Sequence, residues 1–520
     1  MKYFFVFALL VAGRVSAQEA VHVTVDERRA YQTMENFGAS DAWACQFVGG
    51  WEGGGRKQMA DWLFSTDTLR GGAPKGIGLT MWRMNLGAGS AEQGDSSGIK
   101  DEWRRAADVM GGRGTGAVDG RDRVQTVGAG AGDRVAAQLW FLQAARERGV
   151  RQFLGFFNSP PVWMTRNGKA YATKGRCNID PGMYPAFAGY AVDVIRRIKG
   201  QTGVALDYLS PVNEPEWAWS DGGQEGCPYS RAEIAGLVRV MDSAMMRAGL
   251  RMGIVAPEAG DLHFLLKDTL RTRSGIMAGH SYFTTSPWKD GVALRQRLAA
   301  HIDSLRGAES KGGPGGVGGR GREGGPGLRY WQTEYCILGN NAGDIDGSQR
   351  DSGMEAALYL ARVIHMDLVY GQATAWQWWL AISPYNYKDG LIYVDKEGRG
   401  FSASKKMWAL GNYSRWIRPG MRRVEVEVRG EGSVANEKGT GGSGKDADSL
   451  LVSAYASKKN LVIVVVNASF VDQDMFIDRY IGKMEAYVTS GTEDLGRHMV
   501  GKDGRVKVGA RSVCTVVVKK

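Results

Sequence analysis

From position 36 to about 383 the chain alternates short apolar runs with amphipathic stretches, a rhythm that predicts repeated strand-helix units. Eight runs read as strands: "NFGASDAW" from Asn36, "LTMWRMNLG" from Leu79, "FLGFFNS" from Phe153, "LDYLSPVNE" from Leu206, "MGIVAPE" from Met252, "IMAGHSYF" from Ile276, "LRYWQTEY" from Leu328 and "TAWQWWLAIS" from Thr374. Helical stripes lie between them. In 183–199, Phe187, Tyr190, Val194, Ile195 and Ile198 recur along one face, and 133–148 and 351–370 behave in the same way. Eight strands with intervening helices predict an α/β fold, a (β/α)8 TIM barrel over 36–414, whose working end is the carboxyl end of the strands. A doubly wound open sheet is the structural alternative. After Trp416 the pattern becomes short β-rich runs, from "MRRVEVEV" to "VCTVVVKK", which predicts a C-terminal side β-sandwich over 415–520. Inside it "NEKGTGGSGKDADS" reads as a long hairpin loop. The segment 18–35 contains the strand-like "AVHVTV", expected to pair with this β-domain.

Length agrees with this division, since 520 residues exceed what one hydrophobic core holds. The opening "MKYFFVFALLVAGRVSAQEA" has a basic start, an apolar run and a small-residue exit, the pattern of a signal peptide over 1–17. It is too short to span a bilayer, and no later segment is apolar enough either. The expectation is an exported protein, periplasmic or extracellular, with no integral membrane segment after cleavage, and a monomer. Five cysteines do not make a disulfide scaffold; Cys177 and Cys227, in loops of the same rim, are one candidate bridge. The net charge of +11 favours acidic partners, and "GGPGGVGGRGREGGPG" at 312–327 even looks like an arginine-glycine nucleic-acid tail. Export argues against a nucleic-acid partner and for a surface insertion.

Several chemistries have no support. The six histidines, His22, His263, His280, His301, His365 and His498, show no metal-ligand spacing, so no metal and no cofactor is expected. Residues 439–445 mimic a phosphate-binding loop, but Asp446 replaces the required hydroxyl residue. Carboxylates remain. Glu334 ends an apolar strand where an unpaired charge is costly to bury, so it has either a salt-bridge partner or a chemical task. Glu214 ends the fourth strand, which Pro215 stops. Two carboxylates across one rim are what glycoside hydrolysis needs: one protonates the departing oxygen, the other meets the developing oxocarbenium carbon. Asn213 adds an amide able to bond a neighbouring sugar hydroxyl. Trp43, Trp163, Trp217, Trp219, Tyr282, Trp376, Trp378 and Trp379 are candidate walls for sugar rings, about half of them expected to be core. Alternation places Trp376 and Trp378 on one face of the eighth strand and Trp379 on the other.

The pieces "NFGASDAW", "RMNLGAGS", "FFNSPPVWM", "SPVNEPEWAW", "QEGCPYS", "GHSYF", "WQTEYC" and "WQWWLAISPYNYKDGLIYVD" resemble, in order, those of glycoside hydrolase family 30, in the clan of retaining (β/α)8 β-glycosidases. The resemblance implies a barrel with a side β-sandwich, Glu214 as general acid/base and Glu334 as nucleophile. It further implies that Asn213 contacts the sugar 2-hydroxyl, that Tyr282 holds the nucleophile, and that Asp41, Arg83, Trp163 and Trp378 line the reacting subsite. Glu214 would be kept protonated by its apolar setting and the nearby negative charge. The long "NEPEWAWSDGGQEGCPYS" loop is similar to the endo-β-1,6-galactanase branch, so the expected partner is a β-linked poly- or oligosaccharide. A β-glucosidase, a β-1,6-glucanase or a xylan-active enzyme of the same family is the alternative, as is a carbohydrate-binding protein without catalysis. Gly-rich insertions at 111–132 and 312–327 depart from the family pattern.

Overall fold

The computed structural model describes residues 20–111, 131–310, 327–397, 399–430, 450–478, 483–501 and 503–520. The expected signal peptide, nearly all of both Gly-rich insertions and the expected hairpin loop of the C-terminal region lie outside these residues. Among those described, no helix is long and apolar enough to cross a membrane.

The apolar runs become a ring of parallel strands. Its members are β2 (Asn36–Ser40), β3 (Met81–Asn85), β4 (Gln152–Phe156), β5 (Tyr208–Ser210), β6 (Gly253–Ile254), β7 (Ala256–Ala259), β8 (Ile276–His280), β9 (Arg329–Glu334) and β10 (Ala375–Ser383). They pair in the order β6-β5-β4-β3-β2-β10-β9-β8-β7. The run expected as one fifth strand is broken in two, β6 pairing with β5 and β7 with β8. Across the break the Val255 N–H donates to the Leu209 carbonyl at 2.9 Å, and higher up the Glu214 N–H donates to the Glu258 carbonyl at 2.8 Å, closing the barrel. Both faces of these strands are covered, which is why nearly every strand residue is buried.

Helices follow the strands in turn: Gly55–Phe64, Ala131–Glu147, Tyr184–Thr202, Arg231–Arg247, the single turn Leu262–Leu265, Trp288–Ser310, Met354–His365 and Lys405–Ser414. Local signals set their ends. A reciprocal Ser230–Glu233 capping box opens Arg231–Arg247, and Gly203, at φ +68°, closes Tyr184–Thr202 in the left-handed conformation that glycine adopts without cost. The stripe expected over 351–370 is helical from Met354 and ends in a π-turn, Met366–Tyr370.

The C-terminal segments form the second body. The strands β13 (Arg422–Arg429), β14 (Leu450–Ala456), β15 (Asn460–Asn467), β16 (Gln473–Ile477), β17 (Met484–Thr489), β18 (Gly496–Met499), β19 (Arg505–Val508) and β20 (Ser512–Lys519) follow the small β11 (Gly390–Val394) and β12 (Phe401–Ala403) that extend β10. The N-terminal strand β1 (Val21–Thr33) lies between β13, antiparallel to it, and β16, parallel to it. Val23, Val424, Ile463, Met475, Val508 and Val516, from six different strands, share one apolar core, so the curved sheet folds over itself. The helix Lys405–Ser414 joins the bodies: Asn412 donates to the Tyr487 carbonyl at 2.9 Å and accepts at its own carbonyl from Thr515 Oγ1 at 2.7 Å.

Candidate active site

The carboxyl ends of β3, β5, β7, β8 and β9 carry one enclosed charged group. Glu334, the last residue of β9, is 3 % exposed, and Glu214, just beyond β5, is 7 % exposed. Arg83 on β3 reaches Glu334 Oε2 with Nη1 at 2.5 Å, and with Nη2 donates to Asn213 Oδ1 at 3.0 Å. The Phe156 ring lies under this guanidinium, 3.6 Å from its carbon. Tyr282 donates its hydroxyl to Glu334 Oε1 at 3.1 Å. The fold thus brings Arg83, Asn213, Glu214, Tyr282 and Glu334 into one cluster.

Two further members, His280 and Glu258, were not singled out from the sequence. His280 ends β8 with both ring nitrogens on carboxylates: Nδ1 is 2.9 Å from Glu214 Oε1 and Nε2 is 3.0 Å from Glu258 Oε2. Glu258, on β7, is fully buried and takes hydrogen bonds from the Ser210 and Thr333 hydroxyls, with Arg83 Nη2 3.7 Å away. Burial alone would push Glu258 up, but the Arg83 charge and the His280 contact hold its carboxyl down at about 2. Burial would likewise strip the His280 proton, yet the Glu334 charge and the hydrogen bonds to Glu214 and Glu258 push it up to about 10. Burial lifts the Glu334 carboxyl above its usual range, against the pull of His280 and Arg83. Both Glu214 (φ +45°) and Glu258 (φ +56°) sit in the left-handed backbone region that non-glycine residues avoid, a form of strain that clusters at functional sites.

Ligand-type atoms of Glu214, His280 and Glu334 lie within 4.8 Å of one another, the one such group among the described residues. Within this group the His280 ring faces a carboxylate oxygen with each nitrogen, Nδ1 that of Glu214 and Nε2 that of Glu258. The geometry is that of charge-assisted hydrogen bonds.

The other expected site residues spread around this centre. Asp41 has both oxygens engaged, Oδ1 by the Asn85 N–H at 2.8 Å and Oδ2 by Gln138 Nε2 at 2.9 Å, and burial raises its carboxyl to about 7. Trp163 and Trp217 stand on the rim at 38 % and 36 % exposure; Trp217 meets the exposed Phe283 edge-on at 6.2 Å. Gly260 lets the Trp217 ring and Glu214 approach closely, because a Cβ there would lie 2.3 Å from Trp217 Nε1 and 3.1 Å from the Glu214 side chain, forcing one of them to shift. Trp378 is enclosed, stacked on Trp376 at 6.3 Å with its N–H on the Asp389 carbonyl at 2.6 Å. Trp379, on the opposite face of the strand, lies toward the cluster, 6.0 Å from the Arg83 guanidinium carbon and edge-on to Trp43 at 5.3 Å. All five cysteines are free thiols; those of Cys177 and Cys227 touch without a bridge.

A parallel barrel that gathers two strand-end glutamates among a buried cation and rim tryptophans has the make-up of an O-glycosyl hydrolase. The chain belongs to O-glycosyl hydrolase family 30, whose model matches residues 20–275 and 316–393. It is 23% identical over 420 residues, 77% of this chain and 75% of the relative, to an endo-β-1,6-galactanase of Hypocrea rufa. A conserved exported protein from Bacteroides fragilis, known as a crystal structure, superposes with a TM-score of 0.78 at 28% identity, covering 95% of this chain and 100% of that one. The catalytic domain of a family 30 xylanase C from Talaromyces cellulolyticus shares the fold, with a TM-score of 0.65 at 20% identity over 96% of this chain and 100% of that one.

Proposed function

We propose that the protein is a secreted β-glycosidase that cleaves its glycan with retention of configuration, acting on β-1,6-linked galactan or a closely related β-glycan. The observation that carries the mechanism is the spacing of the two carboxylates: an oxygen of Glu214 and one of Glu334 lie within 4.8 Å. Such closeness of their nearest oxygens favours the carboxyl separation of about 5–5.5 Å found in retaining enzymes over the ~6.5–9.5 Å by which inverting ones leave room for a water. In the first step Glu334 attacks the anomeric carbon while Glu214 gives its proton to the leaving oxygen. In the second, Glu214 takes a proton from water, the water oxygen bonds the anomeric carbon, and Glu334 departs.

Arg83 and Tyr282 aim the Glu334 carboxylate and spread its charge. Because Arg83 occupies Asn213 Oδ1, the Asn213 amide N–H2 is left to donate to the sugar hydroxyl beside the reacting carbon. Trp163 on one side and Trp217 with Phe283 on the other offer flat faces to neighbouring sugar units, which favours action within a chain. The galactan preference is supported by the likeness to the Hypocrea rufa enzyme, and export by the likeness to the Bacteroides fragilis exported protein together with the signal-like 1–17.

The test is digestion of a panel of β-glycans, including β-1,6-galactan from type II arabinogalactan, with the anomer of the first product followed by NMR. Short β-1,6-galacto-oligosaccharides released as β-anomers are expected. Release of α-anomers would overturn retention, and hydrolysis of another glycan alone would overturn the galactan assignment. Binding of a glycan with no turnover would mean a carbohydrate-binding protein.

A further inference from the structure

The reaction as written uses Glu214 and Glu334 and leaves Glu258 without a task. Yet Glu258 is the most completely enclosed of the three, at 0 % exposure, and burying a carboxylate is costly unless it is paired. Every element packed around it contributes. These are the Ser210 hydroxyl on β5, Arg83 on β3, His280 on β8, the Thr333 hydroxyl with Glu334 on β9, and the backbone of Glu214 beyond β5. What this enclosed carboxylate holds in place is read from its nearest cationic partner.

That partner is His280. With Nε2–H committed to Glu258, the ring is fixed so that Nδ1 meets Glu214 at Oε1, at 2.9 Å, and lies 3.6 Å from Glu334 Oε1. An N–H at Nδ1 blocks Oε1 as a proton carrier. The proton that Glu214 transfers then sits on Oε2, the oxygen that His280 leaves free. After transfer the new Glu214 carboxylate keeps the same N–H, so its charge is met by a donor already in position.

We propose that Glu258 is a positioning residue which, through His280, holds the Glu214 proton on Oε2 for delivery to the departing oxygen. The inference rests on the acid/base role given to Glu214 above. In the first step the Glu214 Oε2–H bond breaks and the proton goes to the glycosidic oxygen, the C1–O bond breaks and the Glu334–C1 bond forms. Neither Glu258 nor His280 changes its proton count.

The test is the dependence of kcat/KM on the leaving group, measured with aryl β-glycosides from dinitrophenyl, which needs no protonation, to phenyl, which does. Wild type, Glu258→Gln and Glu214→Gln are compared. Loss of acid assistance steepens the dependence. For Glu258→Gln the phenyl glycoside is expected to slow by on the order of 10²-fold, within the range a general acid contributes, while the dinitrophenyl glycoside slows far less. A purely structural role would lower all substrates alike and keep the wild-type slope; that result overturns the proposal. If Glu214→Gln itself fails to steepen the slope, the acid/base assignment falls and the proposal with it. If Glu214→Gln steepens it and Glu258→Gln does not, the proposal alone falls. Should Glu258→Gln not fold, His280→Gln carries the same expectation, and a parallel loss across its substrates overturns the proposal equally.

Discussion

Glu258 in the barrel and Glu485 in the β-domain are both carboxylates held near 2, and they reach that state in opposite ways. Glu485 lies at the edge of β17, where burial is outweighed by Arg497 at 2.7 Å and by the Tyr487 hydroxyl at 2.9 Å, with Lys483 3.4 Å away. Here one carboxylate has two cations, and in the same domain Arg505 pairs with Asp474 and Lys507 with Asp472, each at 2.8 Å and partly open to water. On the rim, three carboxylates, Glu214, Glu258 and Glu334, share two cations, Arg83 and His280. The rim group is one cation short, so it becomes neutral only by binding a proton. A balanced pair stabilises; an enclosed group with a surplus acid is poised to give a proton away.

The contrast breaks most visibly in activity. Glu334→Ala and Glu214→Ala are each expected to lose at least the ~10²–10⁴-fold that proton transfer contributes. Azide is expected to rescue both, as the α-glycosyl azide from the first and the β-glycosyl azide from the second, resolved by NMR; no β-domain substitution should do this. Next comes the shared cation. Arg83→Met leaves two buried carboxylates without their guanidinium and is expected to cost about 3–5 kcal/mol in denaturant unfolding.

The regions share a loss of stability in acid and differ in alkali. Glu258 and Glu485 are both lowered from 4.5 to about 2, so each gives stability that is complete above 4.5 and lost as pH falls toward 2. His280 is raised from 6.5 to about 10, so its contribution is complete below 6.5 and lost as pH rises through 10. Unfolding measured across pH 6 to 10 should therefore show an alkaline decline that His280→Asn flattens and Arg497→Ala leaves in place. Smaller effects remain. Trp163→Ala should raise KM by up to about tenfold with little change in kcat, the mark of lost stacking. Arg497→Ala should cost only about 1 kcal/mol or less, because its ion pair is partly open to water.

The eight barrel strands were legible because a strand covered on both faces is apolar almost throughout, as "LTMWRMNLG" and "TAWQWWLAIS" are. The break within the fifth was not: Val255 is as apolar as its neighbours, and the ladder changes partner there for reasons of closure that no local pattern carries. Glu214 and Glu334 stood out as acids ending buried strands. By the same sign Glu258, in "VAPEAG", was readable as a third. His280, a lone polar ring in "MAGHSYF", acquires meaning only when closure sets β7 and β5 on either side of it. Strict alternation correctly set Trp376 and Trp378 on one face and Trp379 on the other, but which face meets the charged cluster depends on the closed barrel and is carried by no local pattern.

The position of β1 has a consequence for how the molecule is made. β1 is an interior strand of the β-domain, yet its partner β13 arrives some four hundred residues later, Val23 pairing with Val428, and β16 later still. At ordinary rates of synthesis β1 therefore waits roughly 20–80 s with both edges open, while the whole barrel is produced between it and its neighbours. An open edge is a template for wrong partners. The charged tract Asp26-Glu27-Arg28-Arg29 lies in the middle of β1, where the register with β13 is interrupted, and charges on an open strand edge disfavour association with other chains. Completion of the β-domain thus ties β1 to strands that follow the whole barrel in sequence.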